Sequence, residues 1–190
     1  MTRPLWLASS SPYRRQLLER LQLPLRCQSP AVDESARAGE APAELAARLA
    51  LAKARSIAER EPQALIIGSD QVCALDEQCL GKPGSPQAQI AMLERLSGRE
   101  VCFYTAVSIV GLEARLEASH LDITRLQFRA LSRRDIDSYV AAEPAYDCAG
   151  GFKCEGLGIG LLERWQSEDP TALIGLPMIF VARTLRPFYA

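Results

Sequence analysis

The sequence predicts an α/β or α+β domain built around a mixed, strongly bent β-sheet. Three observations carry that expectation. Apolar runs of strand length and amphipathic runs of helical spacing both occur, and their order mixes β with α without a regular βαβ alternation. Ala64-Leu65-Ile66-Ile67-Gly68-Ser69-Asp70-Gln71 carries the strongest strand signal, an apolar run of the kind that fills an interior strand. The 190 residues, 48% hydrophobic and 24% charged, have an ordinary globular composition and suffice for one domain spanning 1–190 with a sizeable core.

Composition also excludes whole classes of function. With 22 Lys+Arg against 23 Asp+Glu the net charge is -1, so no global field recruits nucleic acid or an anionic membrane, and any anion must be held by a local cluster. Six cysteines form no C-x-x-C pair and His120 is the only histidine, a poor set for structural zinc. No stretch approaches membrane-spanning length, and the apolar run before Ser9 is too short for a signal peptide. A cytoplasmic protein with reduced, mostly buried thiols is expected.

Leu5 to Ala8 reads as a buried strand, followed by Ser9-Ser10-Ser11 and a helix with Pro12 at its first position and Ser11 as its cap. Leu17, Leu18 and Leu21 supply that helix's apolar face. Arg14 and Arg15 break the local rule, because free amides and the positive end of the macrodipole favour acidic residues in a first turn. Either both swing out to solvent, or hydroxyls, amides and guanidiniums converge on a polyphosphate. Leu23 to Cys27 gives a short strand, and the loop with Asp33 and Glu34 leads through a mobile stretch, Ala36 to Ala41, to a long helix opened by Pro42. Leu45, Leu49, Ala52 and Ile57 form its buried stripe, with Lys53 on or beside it. A lysine there either snorkels out or meets an anion at the end of the sheet.

The run ending in Gly68-Ser69-Asp70-Gln71 presents polar groups where open α/β sheets bind ligands. Asp70 has no helix to cap, since Val72 to Leu75 resumes a strand pattern. Asp76 and Glu77 turn a hairpin; Gly81-Lys82-Pro83-Gly84 follows without P-loop spacing; and Ser85-Pro86 opens a helix that stops at Ser97-Gly98. Val101 to Val110 and Glu113 to Phe128 read as strands, and Ser132-x-x-Asp135 as the capping box of a helix through Ala142. A glycine-rich loop, Tyr146 to Gly156, then leads to a strand over Leu157 to Trp165 and a last helix near Met178 to Leu185.

The polar residues not needed for the core form a basic set, Arg14, Arg15, Lys53, Lys82 and Lys153, and an acidic set, Asp33, Glu34 and Asp70. Brought together, the first neutralises a triphosphate while the second holds a divalent metal or activates water. His120 lies far from any nucleophile motif and reads as a surface residue.

These residues carry a resemblance. Leu7 to Arg15, Val32-Asp33-Glu34, Lys53-Ala54, Ile67 to Gln71, Gly81-Lys82-Pro83 and the glycine-rich loop before Glu155 resemble the Maf family of nucleoside triphosphate pyrophosphatases. The resemblance runs from residue 5 to about residue 177. It implies an inosine-triphosphatase-like fold with a bent mixed sheet and a substrate cleft between two lobes. It implies attack of water on the α-phosphorus of a nucleotide with a divalent cation, Mg²⁺ or Mn²⁺, and it allows a homodimer. By the same resemblance Asp70 is the general base, Ser9, Arg14, Arg15, Lys53 and Lys82 bind substrate, and Glu34 with Asp70 faces the metal. Tyr13, Gln71 and Glu155 resemble the YceF-type branch, associated with 7-methyl-GTP, where the dTTP/UTP branch has other residues. An aromatic Tyr13 suits a cationic 7-methylguanine, and a carboxylate at Glu155 suits its donor-rich edge. A pyrophosphatase for dTTP or UTP, or a nucleotide-binding regulator of cell division, is the alternative that the resemblance leaves.

Overall fold

The computed structural model describes residues 3–189. Its elements run β1 (Leu5–Ala8), α1 (Pro12–Glu19), β2 (Leu25–Cys27), α2 (Pro42–Ala58), β3 (Leu65–Leu75), β4 (Gln78–Leu80), α3 (Pro86–Leu96), β5 (Glu100–Gly111), β6 (Leu116–Phe128), α4 (Arg133–Ala142), β7 (Leu162–Gln166) and α5 (Met178–Tyr189). The strands form one sheet in the order β2-β1-β3-β5-β6-β7, with β4 also on β3. β1 is parallel to β2 and β3, whereas the other pairings are antiparallel, so the mixed sheet expected from the sequence is present.

The central strand β3 explains where a site can form. Along one edge it pairs with β5 from Ile66 to Ala74. Its other edge is shared by two strands: β1 pairs with Leu65 to Gly68, and β4 with Cys73 to Leu75. Ser69 to Val72 therefore has no strand beside it on that edge. A gap of four residues opens in the middle of the sheet, and the polar end of the apolar run lies in it.

Side-chain alternation assigns the two faces of β3. Ile66 and Val72, with Ala106 of β5, pack with Leu49, Ala50, Ala54 and Ile57 of α2 on one face. Gly68 is required there, since a Cβ on it would lie 2.2 Å from the Ala50 carbonyl oxygen and 2.5 Å from the Ala54 nitrogen. On the other face, Leu65 and Ile67 join Leu17, Leu18, Val181 and Leu185 of α1 and α5, while Cys73 and Leu75 join Leu93, Leu96, Ile136 and Tyr139 of α3 and α4. The gap separates these two apolar clusters.

Several elements differ from the sequence expectation. The buried stripe of α2 is Leu45, Ala46, Leu49, Ala50, Lys53, Ala54 and Ile57, with Ala52 only partly buried, because alanines let the helix lie close to β3. Leu157 to Leu161 is a 3₁₀ turn instead of the start of a strand; the Glu143 carboxylate accepts from the Leu157 and Gly158 amides at 3.2 Å and holds the turn closed. Strand pairing begins only at Leu162. The last helix continues past Leu185 to Tyr189 with Pro187 inside it. Of the cysteines, only Cys73 and Cys154 are buried, Cys27 and Cys79 are exposed, and all six are free thiols. His120 is half-buried, stacked on Phe180 with ring centroids 5.1 Å apart.

Candidate active site

Lys53 is the centre of the arrangement. Four residues after Leu49 on the buried stripe of α2, its side chain cannot leave for solvent, and the residue is 6% exposed. Its ammonium donates to Asp70 Oδ1 at 2.7 Å and pairs with Glu34 Oε1 at 2.7 Å. Asp70, 8% exposed, reaches it because position 70 shares the α2 face of β3 with Gly68, where the helix lies closest. Glu34 comes from the loop before α2. That loop is tied down by Arg48, which donates to both oxygens of Glu40 at 2.5 and 2.8 Å and to the Ser35 carbonyl at 2.9 Å. Asp33 does not join the cluster: its Oδ1 accepts from the amide and hydroxyl of Ser35, making it a turn residue.

Arg14 enters from the other side of the gap. Its Nε donates to the Gly175 carbonyl at 2.9 Å and its Nη1 to Ser9 Oγ at 3.4 Å. Burial lowers its pKa from the usual arginine value, and the Asp70 and Glu34 carboxylates pull it back up. The two arginines are split by helix geometry, since neighbours in sequence point in different directions. Arg15 is exposed and donates to Glu19 at 2.8 Å, one turn on. Thus the structure brings Arg14, Lys53, Asp70, Glu34 and Ser9 to one cleft and leaves Arg15 outside it.

The cleft has a volume of about 510 Å³ and is lined by Ser9, Ser10, Ser11, Tyr13, Arg14, Glu34, Lys53, Asp70, Gln71 and Lys82, among others. A second cavity of about 140 Å³ continues from it, sharing Ser11, Arg14, Gln71, Lys82 and Asp147 and adding Phe103, Cys148, Lys153 and Glu155. Lys82, exposed on the Gly81 to Gly84 connection between β4 and α3, stands at the junction. Tyr13 faces Lys153, whose ammonium lies 6.0 Å from the ring centroid. Burial raises the Tyr13 pKa, with the nearby lysine acting against it.

A model of the family described as Maf-like protein matches residues 4–188. The chain belongs to the Maf family. It is 57% identical over 180 residues to a protein of Xanthomonas oryzae pv. oryzae named 7-methyl-GTP pyrophosphatase, covering 95% of this chain and 94% of that one. Proteins of the same name from Albidiferax ferrireducens and Cupriavidus metallidurans are 50% and 52% identical, over 97% of this chain and 92% and 94% of theirs.

In this Maf chain the second cavity has contributors that sequence reasoning missed. Asp147 lines both cavities, and the 167–177 segment supplies main-chain carbonyls to Arg14 and Gln71 of the cleft and to the buried Ser69 beside them. Gly175 accepts from Arg14 and from Ser69 Oγ at 3.0 Å, while Ala172 and Leu173 accept from Gln71 Nε2 at 3.1 and 3.0 Å. Carbonyl acceptors carry no side-chain signature; the turn-forming Asp169, Thr171 and Gly175 were the available signal.

Proposed function

We propose that the chain is a nucleoside triphosphate pyrophosphatase that cleaves 7-methyl-GTP to 7-methyl-GMP and pyrophosphate in the cytoplasm. The observation that carries this reading is the buried Lys53 ammonium holding Asp70 and Glu34 at 2.7 Å each, beside Arg14 and the serine turn of α1. Three side-chain cations, Arg14, Lys53 and Lys82, line a cavity that also holds a carboxylate able to accept a proton. Polyanion binding and water activation need those groups in one place.

In the reaction, Asp70 takes a proton from a water as its oxygen bonds to the α-phosphorus and the bridging bond to the β-phosphate breaks. Arg14, Lys53 and Lys82 offset the charge that grows on the pyrophosphate. Ser9 is held by the Ser11 amide and Arg14, so it orients the guanidinium as well as lining the cleft. The donor chemistry fits a hard divalent cation: Glu34 and Asp70 offer carboxylate oxygens, and no group of three metal-ligating side chains occurs among the described residues. Mg²⁺ is commonly held by one or two carboxylates together with substrate phosphates. When bound, such an ion supplies Lewis acidity at the phosphate oxygens.

Base recognition belongs to the continuation of the cleft. Tyr13 offers a ring face to a cationic base, a contact of roughly 0.5–2 kcal/mol. Gln71 and Glu155 line the inner cavity and offer acceptors to a donor-rich purine edge. The 7-methyl-GTP pyrophosphatase name of the relatives supports the same substrate. Pyrophosphate release from 7-methyl-GTP, GTP, dTTP and UTP, with Mg²⁺ or Mn²⁺ and with chelator, tests the reading. Preferential, chelator-sensitive release from 7-methyl-GTP is expected; preference for dTTP or UTP would discard the base assignment, and no release from any nucleotide would discard the activity.

A further inference from the structure

Gln71 lies on the face of β3 opposite Asp70, against the segment that joins β7 to α5. Its Nε2 donates to Thr105 Oγ1 at 3.0 Å and to the Ala172 and Leu173 carbonyls. A main-chain carbonyl can only accept, so two of these partners fix which end of the amide is NH₂. Oε1 has no hydrogen-bond partner among the described residues, and it is the end left for the cavities that Gln71 lines. The orientation of one amide thus decides whether the base meets an acceptor or a donor.

The segment that imposes this orientation is itself fixed by buried polar groups. Asp169, 3% exposed, accepts from the Thr171 amide at 2.8 Å and hydroxyl at 2.6 Å through Oδ1, and from the Ile179 amide at 2.6 Å through Oδ2. Asp122, 1% exposed, accepts from the Asp169 amide at 2.9 Å. Thr171 Oγ1 also lies 2.8 Å from the Leu176 carbonyl and accepts from the Met178 amide at 3.0 Å. An aspartate and a threonine at a helix start are ordinary caps. Here the same turn carries the carbonyls of Ala172, Leu173 and Gly175 to Gln71, Ser69 and Arg14.

We infer that Asp169 and Thr171 are positioning residues for base selection. By holding the 169–177 turn they keep the Gln71 amide with its NH₂ against the protein and its oxygen toward the base. The inner cavity then presents two acceptors, Gln71 Oε1 and the Glu155 carboxylate, and selects a base edge that carries donors. With the turn loosened the amide is free to rotate and offer its NH₂, a better match to a base edge rich in acceptors. The inference rests on the proposed substrate class but makes a structural claim of its own.

Two measurements test it on the full chain, in the wild type, in Thr171→Val, which loses the hydroxyl, and in Thr171→Ser, which keeps it. First, hydrogen exchange of the Gln71 side-chain amide is followed by ¹H–¹⁵N spectroscopy. Wild-type exchange slower than that of a free glutamine is expected, with exchange about tenfold faster in Thr171→Val, as loss of one hydrogen bond implies, and restored in Thr171→Ser. A wild-type amide that exchanges like a free side chain, or one indifferent to the valine, would overturn the inference even if no nucleotide is hydrolysed. Second, the ratio of kcat/KM for 7-methyl-GTP over UTP should fall about tenfold in Thr171→Val through KM more than kcat, and recover in Thr171→Ser. Equal losses on both nucleotides mean a merely structural role. Absence of activity in the wild type would instead sink the proposed function, leaving the exchange result to decide this one.

Discussion

A lysine with almost no contact with water is held between the buried carboxylate of Asp70 and the more exposed one of Glu34, and it is the buried pair whose members depend on each other. Removing one partner of a buried ion pair costs more than the pair contributes, because the remaining charge keeps its desolvation penalty. Lys53→Met should therefore destabilise the protein by roughly 3 kcal/mol in urea denaturation, the low end for a buried pair because the cleft admits solvent to Asp70. Adding Asp70→Asn to that variant removes the orphaned charge and should recover part of the loss; a purely additive double variant would deny the coupling. Lys153 tests charge at the base. Its ammonium lies 6.0 Å from the Tyr13 ring centroid, so on the proposed reading a 7-methylguanine stacked on that ring would bring its charge close to it. Lys153→Met should lower KM for 7-methyl-GTP by about threefold, the size of one screened charge pair, and leave that for GTP nearly unchanged. An equal change for the two nucleotides would take Lys153 out of base selection.

Two elements set the distance between Lys53 and its partners. α2 lies on β3 only because Gly68 has no Cβ: the obstacles a methyl would meet are backbone atoms of Ala50 and Ala54, which cannot rotate away. Gly68→Ala should cost about 1–3 kcal/mol of stability and also reduce turnover by pushing Lys53 away from Asp70. Full activity at reduced stability would show that the cleft tolerates the shift. The loop bearing Glu34 hangs on the Arg48–Glu40 pair. Arg48 lowers the Glu40 carboxyl from its ordinary 4.5 to about 2. A depressed pKa contributes stability that is complete above the unfolded-state value and is lost as pH falls through the folded one. The stability difference between wild type and Glu40→Gln should therefore be full above about pH 5 and shrink as pH drops from 4.5 toward 2. A difference that does not change over that range would show that the tether is not ionic. The stretch that reads as mobile in the sequence has such a tether because Arg48, inside α2, reaches back eight positions to Glu40 just ahead of the helix, a spacing that no local pattern announces.

In the whole molecule the cleft arises from topology, where β1 and β4 share one edge of β3 and leave Ser69 to Val72 between them. Local chemistry made much of this legible in advance. Ser11 and Ser85 cap their helices, Ser132 and Asp135 close a capping box, and an apolar run ending in Gly68-Ser69-Asp70-Gln71 forms the central strand. Lys53 was conspicuous because a charge stood beside a buried stripe, and Asp70 because it had no helix to cap. What depends on distant chain segments was not legible: Arg14 meets Gly175 across 161 positions, and Gln71 meets Ala172 across 101. The separation of Arg14 from Arg15 follows from helix rotation, which spacing alone does not orient. The start of the expected strand, Leu157 to Leu161, is a 3₁₀ turn held by the carboxylate of Glu143, outside any local window. On the proposed reading one cleft both binds the triphosphate and activates water through Asp70. The most direct test is pyrophosphate release from 7-methyl-GTP by wild type and Asp70→Asn, with nucleotide affinity measured on both. Release should fall by at least about a hundredfold, as for loss of a general base, with affinity changed by less than about tenfold. Undiminished release by the variant would contradict that reading.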